Sequence, residues 1–264
     1  MNRLKLKNHI EAVAGHRYWV DRAVERDKLM SLIAMLRPKG TIAPLIRVGS
    51  AEDGGYLVPD DLDGITAAVS PGVNQEITFD LDMAARGIDV YMADASVNGP
   101  PQNHPAFHFY KKFLDVVNDE TNVRLAEFCA NIPADRRKDM ILQMDIEGAE
   151  WRVLLDAPPE LLERFRIMVI EFHGLQDMFG RGCFPLIEAV FRKLLATHAV
   201  VHNHPNNCTG CANFHGIEVP LVTEMTFYRK DRGFSEVTSR TYPHPLDVDN
   251  VPGNPTLVLP QVWR

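Results

Sequence analysis

The 264-residue chain is predicted to be an α/β protein, an open and mainly parallel sheet with helices on both faces. Three observations predict it. Short apolar runs alternate with segments of helical period from about residue 45 onward. Runs such as Met140-Ile141-Leu142-Gln143-Met144 are almost wholly apolar, as strands covered on both faces must be. Successive runs also stop abruptly at polar residues, the place where open parallel sheets bind ligands.

The elements follow in order. Over residues 7–36, Ile10, Val13, Ala14, then Trp19, Val20, Ala23 and Val24 recur at helical spacing. That predicts one or two amphipathic helices stopped by Pro38-Lys39-Gly40. Residues 1–40 are read as a helical cap on one edge of the core, with a substrate-covering lid as the alternative. Residues 45–48 form a strand, and Asp53-Gly54-Gly55-Tyr56-Leu57-Val58 a turn into another. Residues 66–69 form a buried strand ending at Ser70-Pro71-Gly72, and 77–86 a helix. Residues 89–93 form a second buried strand ending on Asp94, 107–113 a third, and 125–131 a helix. The strand at 140–144 ends on Asp145 and leads into a helix at 149–155. A fifth strand at 166–170 ends on Glu171, and a helix at 185–196 precedes a strand at 199–201. The segment 202–220, rich in Pro, Asn, Gly and Cys, reads as a loop before a reversed last strand at 221–229. The expected organisation is a cap at 1–40, a main domain at 41–232 and an extended surface tail at 233–264.

Composition narrows the class. With 28 Lys and Arg against 35 Asp and Glu, a formal charge of −7 disfavours nucleic acid as a partner. No apolar run approaches the roughly 20 residues that cross a bilayer. The first 19 residues lack the apolar core of a signal peptide. Four cysteines in this length are no disulfide scaffold. The expectation is a soluble, cytoplasmic protein without a membrane span, with a homo-oligomer left open.

The strand ends carry the chemistry. The first loop has one glycine, Gly72, followed by Asn74-Gln75-Glu76. A pyrophosphate needs several glycines so that backbone N–H groups can approach it, so this loop suits an uncharged or cationic ligand. Asp94, 22 residues on, can accept two ribose hydroxyls, or it caps the next turn. Together these point to a nucleoside without phosphates. Asp145 and Glu147 then share one loop, with Gly148 turning it into a helix. Capping explains Glu147 or Glu150 but not Asp145.

The order Arg47-x-Gly49, Asp53-Gly54-Gly55-Tyr56, Met144-Asp145-Ile146-Glu147-Gly148-Ala149-Glu150, Glu171-Phe172-His173, His204-x-Asn206-Asn207 and Glu224-Met225-Thr226 resembles the FkbM-type methyltransferases, in the branch with the Asp-Gly-Gly-Tyr motif. The match covers roughly residues 45–230. The resemblance implies a Rossmann-like class I methyltransferase sheet of seven strands with an antiparallel last strand. It implies S-adenosylmethionine as cofactor and a hydroxyl on a sugar, glycan or polyketide as acceptor. This chain departs from the family in placing Ser70-Pro71 before Gly72. By analogy Ser70, Gly72, Asn74 and Asp94 meet the cofactor, and Asp53 and Tyr56 close over it or over the acceptor.

Methyl transfer to a hydroxyl requires loss of its proton, to a general base or by way of a divalent metal. Asp145, Glu147 and His173 are the candidate catalytic set. Asp145, Glu171, His173 and His202 are the candidate ligands for Mg or Mn, which suit oxygen and imidazole donors. Glu171 and His173 share a face only if their strand stays extended. A competing pattern, His202-x-His204-x3-Cys208-x2-Cys211-x3-His215, has the spacing of a structural zinc site. The expected function is an S-adenosylmethionine-dependent O-methyltransferase acting on a sugar or glycan. A nucleotide-dependent oxidoreductase and a non-catalytic S-adenosylmethionine- or zinc-binding module are the rivals.

Overall fold

The computed structural model describes residues 21–73, 75–236 and 241–264. Asn74, and the part of the expected cap before residue 21, lie outside the described residues. Helix α1 (Arg26–Met35) buries Leu29, Leu32 and Ile33, the i, i+3, i+4 stripe that its sequence predicts. The short strand β1 (Gly40–Thr41) follows, then β2 (Leu45–Val48) and β3 (Tyr56–Pro59), paired antiparallel around the turn at Asp53-Gly54-Gly55.

The main sheet starts with β4 (Ala67–Pro71), helix α2 (Thr78–Ala85), β5 (Asp89–Ala93) and β6 (Phe107–Tyr110). A small pair, β7 (Phe113–Leu114) and β8 (Asn122–Val123), precedes helix α3 (Leu125–Ala130). Then come β9 (Met140–Met144), α4 (Glu150–Asp156), α5 (Pro159–Leu162), β10 (Phe165–His173) and α6 (Phe184–Thr197). The remaining strands are β11 (His198–Pro205), β12 (Cys211–Phe214), β13 (Ile217–Pro220), β14 (Val222–Arg229) and β15 (Phe234–Ser235). Seven of these form one sheet in the order β11-β14-β10-β9-β4-β5-β6. Strand β14 runs antiparallel to both its neighbours, while β10, β9, β4, β5 and β6 are mutually parallel. This is the class I methyltransferase sheet.

Side-chain parity divides the core into two. Met140, Leu142 and Met144 of β9 enter one apolar cluster with α1, α4 and α6, whereas Ile141 enters the other with α2. The same alternation holds along β10, where Met168, Ile170 and Phe172 face one side and Ile167 and Val169 the other. Both faces of the parallel strands being largely apolar, acidic groups collect where β9 and β10 run out of cover, at their carboxyl ends.

Four expectations need correction. Strand β10 does not stop at Ile170 but continues through Glu171 and His173, because β14 pairs with it as far as His173↔Val222. Strand β11 likewise runs on to Pro205, so His202 and His204 are strand residues and not part of a loop. The supposed loop after them contains the β12–β13 hairpin. Its turn is His215-Gly216, both at positive φ (50° and 77°), the two-residue geometry that suits strand twist. The tail is not confined to the surface: Leu259 and Trp263 are buried in the main core, and Trp263 Nε1 donates to Glu218 O at 2.9 Å. Two large apolar side chains near the end of the chain cover core area that the sheet leaves open.

Candidate active site

The parallel strands end on a rim where the chemistry collects. Asp145 follows β9, and the loop after it reverses sharply, with Glu147 and Gly148 both at positive φ (54° and 95°). Glycine accepts that conformation freely and glutamate does not, so Glu147 holds a strained position with its carboxylate exposed. The next residue but two, Glu150, is fully buried, and its Oε1 accepts from Ile146 N at 3.0 Å and Gly148 N at 3.1 Å. One buried carboxylate thus ties down two amides of the loop carrying Asp145 and Glu147 and so shapes it.

His173, at the end of β10, stands among four carboxylates. Its Nδ1 lies 3.2 Å from Glu150 Oε1. Its Nε2 lies 3.5 Å from Glu147, 3.8 Å from Glu171 and 3.9 Å from Asp145. Burial by itself would lower the imidazole pKa, but the hydrogen bond to Glu150 and the charges of Glu150, Asp145 and Glu147 raise it above its ordinary value. Two of these carboxylates, Asp145 and Glu171, are raised as well. Burial pushes Asp145 up to about 6, with Glu147, Glu150 and Asp53 adding to the effect and His173 opposing it. Glu171 is raised far more, by burial and then by Glu224 and Asp145, although Asn206 Nδ2 donates to its Oε1 at 2.9 Å. Glu224 is its register partner on β14 and is raised too, chiefly by burial.

A narrow crevice opens beside Asp145 and is lined by Asp53, Tyr56, Ser70, Gly72, Glu76, Asp80 and Gln143, together with Gly54 and Phe79. Ser70 Oγ donates to Gln143 Oε1 at 2.9 Å, and Gln143 Nε2 donates to the Tyr56 hydroxyl at 3.2 Å. Burial and the neighbouring carboxylates keep Tyr56 protonated, its pKa raised well above the ordinary phenol value. Burial pushes Asp80 up to about 7, and its Oδ1, like Oδ1 of Asp145, is buried without a hydrogen-bond partner. Gly72 is fixed by packing: at φ +91° a side chain is disfavoured, and a Cβ would collide with the carbonyl oxygen of Asp145. Its amide is taken by Ala93 O at 3.0 Å. Asp94 caps the following turn through Oδ1, which accepts from Ser96 N and Oγ at 2.7 and 2.6 Å. Asn74 lies outside the described residues.

The strand ends thus bring together Asp145, Glu147, Glu171 and His173. His202 is not among them: it lies on β11 opposite Thr226, two strands from β10, and its Nε2 meets Asp247 Oδ1 at 2.8 Å. Among the described residues, the one His, Cys, Asp or Glu group compact enough to hold a metal ion is Asp145, Glu147 and His173, with donor atoms within 4.8 Å of one another. The zinc pattern gains no support, since Cys208 and Cys211 are exposed free thiols and His202 and His204 face Asp247. Nothing in the sequence pattern singles out Asp80, Gln143, Asp247 or Asn250. Asp80 is one of two acids on a short helix, and the last two lie in a segment without periodicity.

Residues 59–234 match the methyltransferase FkbM domain, which is two thirds of the chain and includes Ser70, Asp94, Asp145 and His173. The chain belongs to the FkbM methyltransferase family. No curated protein matches it. Solved structures similar to it include a protein described as a DNA modification methyltransferase from an E. coli prophage (TM-score 0.40, 10% identity, 63% of this chain and 47% of that one). A protein described as a hemolysin from Streptococcus thermophilus is similar at TM-score 0.34 and 13% identity, over 82% of this chain and 70% of that one. TrmN from Thermus thermophilus is similar at TM-score 0.33 and 11% identity, over 62% and 44%. The chain therefore spans about half the length of the first of these.

An FkbM methyltransferase uses S-adenosylmethionine, and the crevice fits its charge. Four carboxylates (Asp53, Glu76, Asp80 and Asp145) and no Lys or Arg line it, with the Oδ1 atoms of Asp80 and Asp145 unpartnered. That set suits the ammonium and sulfonium of the cofactor and repels a phosphate. No described helix is long and apolar enough to cross a membrane.

Proposed function

We propose that this FkbM methyltransferase transfers a methyl group to a hydroxyl of a sugar or glycan, with Asp145 as general base. The observation carrying this reading is the unpartnered, largely buried Oδ1 of Asp145 at the rim of a crevice suited to a cationic cofactor. Bound there, S-adenosylmethionine supplies an electrophilic methyl group. The chain must supply a proton acceptor, because a sugar hydroxyl does not ionise unaided near neutral pH. Asp145, with a pKa raised to about 6, is a stronger base than an ordinary aspartate and still ionised at pH 7. In its protonated form, which Glu150, Asp145 and Glu147 favour over the opposing effect of burial, His173 offsets the negative charge beside the base.

Asp145, Glu147 and His173 would alternatively hold Mg or Mn, hard ions suited to carboxylate and imidazole donors. An imidazolium and a metal ion answer the same electrostatic need, and they exclude one another, since a ligating imidazole must give up its proton.

The acceptor side favours a polyol over a polyanion. Glu147 and Asp53, exposed carboxylates near Asp145, can accept hydrogen bonds from hydroxyls and repel a polyanion. Arg47, at the start of the turn that carries Asp53, is held by Ser50 O and Glu52 O at 2.6 and 2.7 Å. The test is transfer of tritiated methyl groups from S-adenosylmethionine to a panel of glycosides and capsule or cell-wall fractions, with tRNA and duplex DNA alongside. Methylation of the glycosides is expected, and transfer to RNA or DNA instead would refute the acceptor class.

A further inference from the structure

The last part of the chain is stitched to the site at two anchors. At the first, Asp247 Oδ1 meets His202 Nε2 at 2.8 Å and Asp247 Oδ2 lies 3.5 Å from His204 Nδ1. At the second, Asn207 Nδ2 donates to Val251 O at 3.1 Å and Val251 N donates to Asn207 Oδ1 at 2.8 Å. Asn254 Nδ2 adds a bond to Asn207 O at 3.0 Å. Between the anchors Asn250, itself buried, turns inward. Its Nδ2 donates to Glu224 Oε1 at 2.6 Å and to Asp53 Oδ1 at 3.0 Å.

Two carboxylates at that spacing repel unless something between them donates to both. Asn250 is that donor. The contact joins residues 197 apart in sequence and three pieces of the molecule: the tail, β14 and the Asp-Gly-Gly turn between β2 and β3. The backbone of the turn is held by Arg47 and Ser50, which donate to Ser50 O, Glu52 O and Asp53 O. Asn250 instead holds the exposed Asp53 carboxylate, which forms one wall of the crevice beside Asp145.

We propose that Asn250 is a positioning residue of the methyl-transfer site: by joining Asp53 to Glu224 it holds the Asp53 carboxylate against the strand ends and sets the crevice that receives the cofactor. The proposal needs the crevice to be the cofactor's and is independent of the acceptor. It makes the tail, which the family match does not reach, part of the working site.

The test is calorimetric binding of S-adenosylhomocysteine to the full chain and its variants. Asn250→Ala should bind about 5- to 10-fold more weakly, the scale of one lost hydrogen bond at a carboxylate. Asn254→Ala removes an anchor bond that does not touch Asp53, so it should leave affinity unchanged even if it lowers the melting temperature. In an Asp53→Ala background the Asn250→Ala effect should vanish, which a merely structural role would not produce. Wild-type affinity in Asn250→Ala would overturn the proposal, as would equal weakening in Asn254→Ala or an undiminished effect without Asp53. Should Asn250→Ala fail to fold, Asn250→Ser carries the same comparison. Wild-type protein that does not bind S-adenosylhomocysteine would overturn the crevice assignment itself, while a negative glycoside panel would leave this proposal standing.

Discussion

Nδ1 of His173 lies 3.2 Å from Oε1 of Glu150, a carboxylate with no exposure, so the ring's other nitrogen is the one that faces Asp145. A fixed tautomer and orientation is what separates a working histidine from a merely buried one. Glu150→Gln keeps an oxygen for the N–H groups of Ile146 and Gly148 but removes the charge. The His173 pKa should fall in that variant, since the Glu150 interactions are the first of the causes that raise it. Proton-detected titration of the His173 ring checks this, and an unmoved midpoint would show that Glu150 does not set its charge.

Asp145→Asn preserves shape and removes the base. It should fold, bind S-adenosylhomocysteine and lose about 10²–10⁴ in rate, the range for a lost acid–base group. In the wild type the ionised carboxylate is the active form, so the rate should climb as pH rises through about 6 and level off above it. EDTA separates the two versions of the site. Loss of activity restored by Mg or Mn supports the ion, and indifference supports the base alone. An Asp145→Asn enzyme with ordinary turnover would move the chemistry off this strand end.

Glu171 should be a liability for stability. Its folded pKa lies well above the unfolded carboxylate value because of burial, Glu224 and Asp145. The folded state therefore binds the proton more tightly, and that stabilisation is present at acid pH and lost as pH rises towards the folded pKa. Glu171→Gln should raise stability by about 1 kcal/mol or more at pH 8, an estimate of one pKa unit's worth, and the gain should shrink below pH 5. Thermal melts at the two pH values decide it; a variant less stable at pH 8 would show that the Asn206 contact outweighs the burial.

The frame of the site was legible in the sequence because apolar strands bounded by single acids are strong signals. Asp94 and Asp145 could be placed at strand ends, and Glu171 near one, from the runs before them. The reach of β10 and β11 was not legible, since Glu171, His173, His202 and His204 are polar residues that only pairing with β14 keeps extended. The tail's role was hidden for a different reason: Asp247 and Asn250 act through single long-range contacts, which leave no period in the sequence.

Gly72 illustrates a motif residue with a packing role. Gly72→Ala would need both a positive φ and a side chain where the Asp145 carbonyl sits, so β4 and β9 would have to separate. A loss of more than about 2 kcal/mol is expected, the scale for strain combined with a steric clash. Denaturant unfolding measures it directly. A variant as stable as wild type would mean the two strand ends pack more loosely than this geometry requires.

Asp94 has two roles to disentangle. Its Oδ1 already holds Ser96 N and Oγ, so capping is real, and a ribose would have to use Oδ2 or share the turn. Asp94→Ala should therefore cost both stability and cofactor affinity, the latter by about 1–3 kcal/mol for the hydrogen bonds of a carboxylate. Ser96→Ala removes one capping bond and leaves the carboxylate in place. If Asp94 meets the ribose, Ser96→Ala should lower the melting temperature while S-adenosylhomocysteine affinity stays within about twofold, less than the worth of one hydrogen bond. Calorimetry on the two variants separates the roles. Equal affinity losses in both would reduce Asp94 to a turn cap and place the ribose elsewhere along the rim.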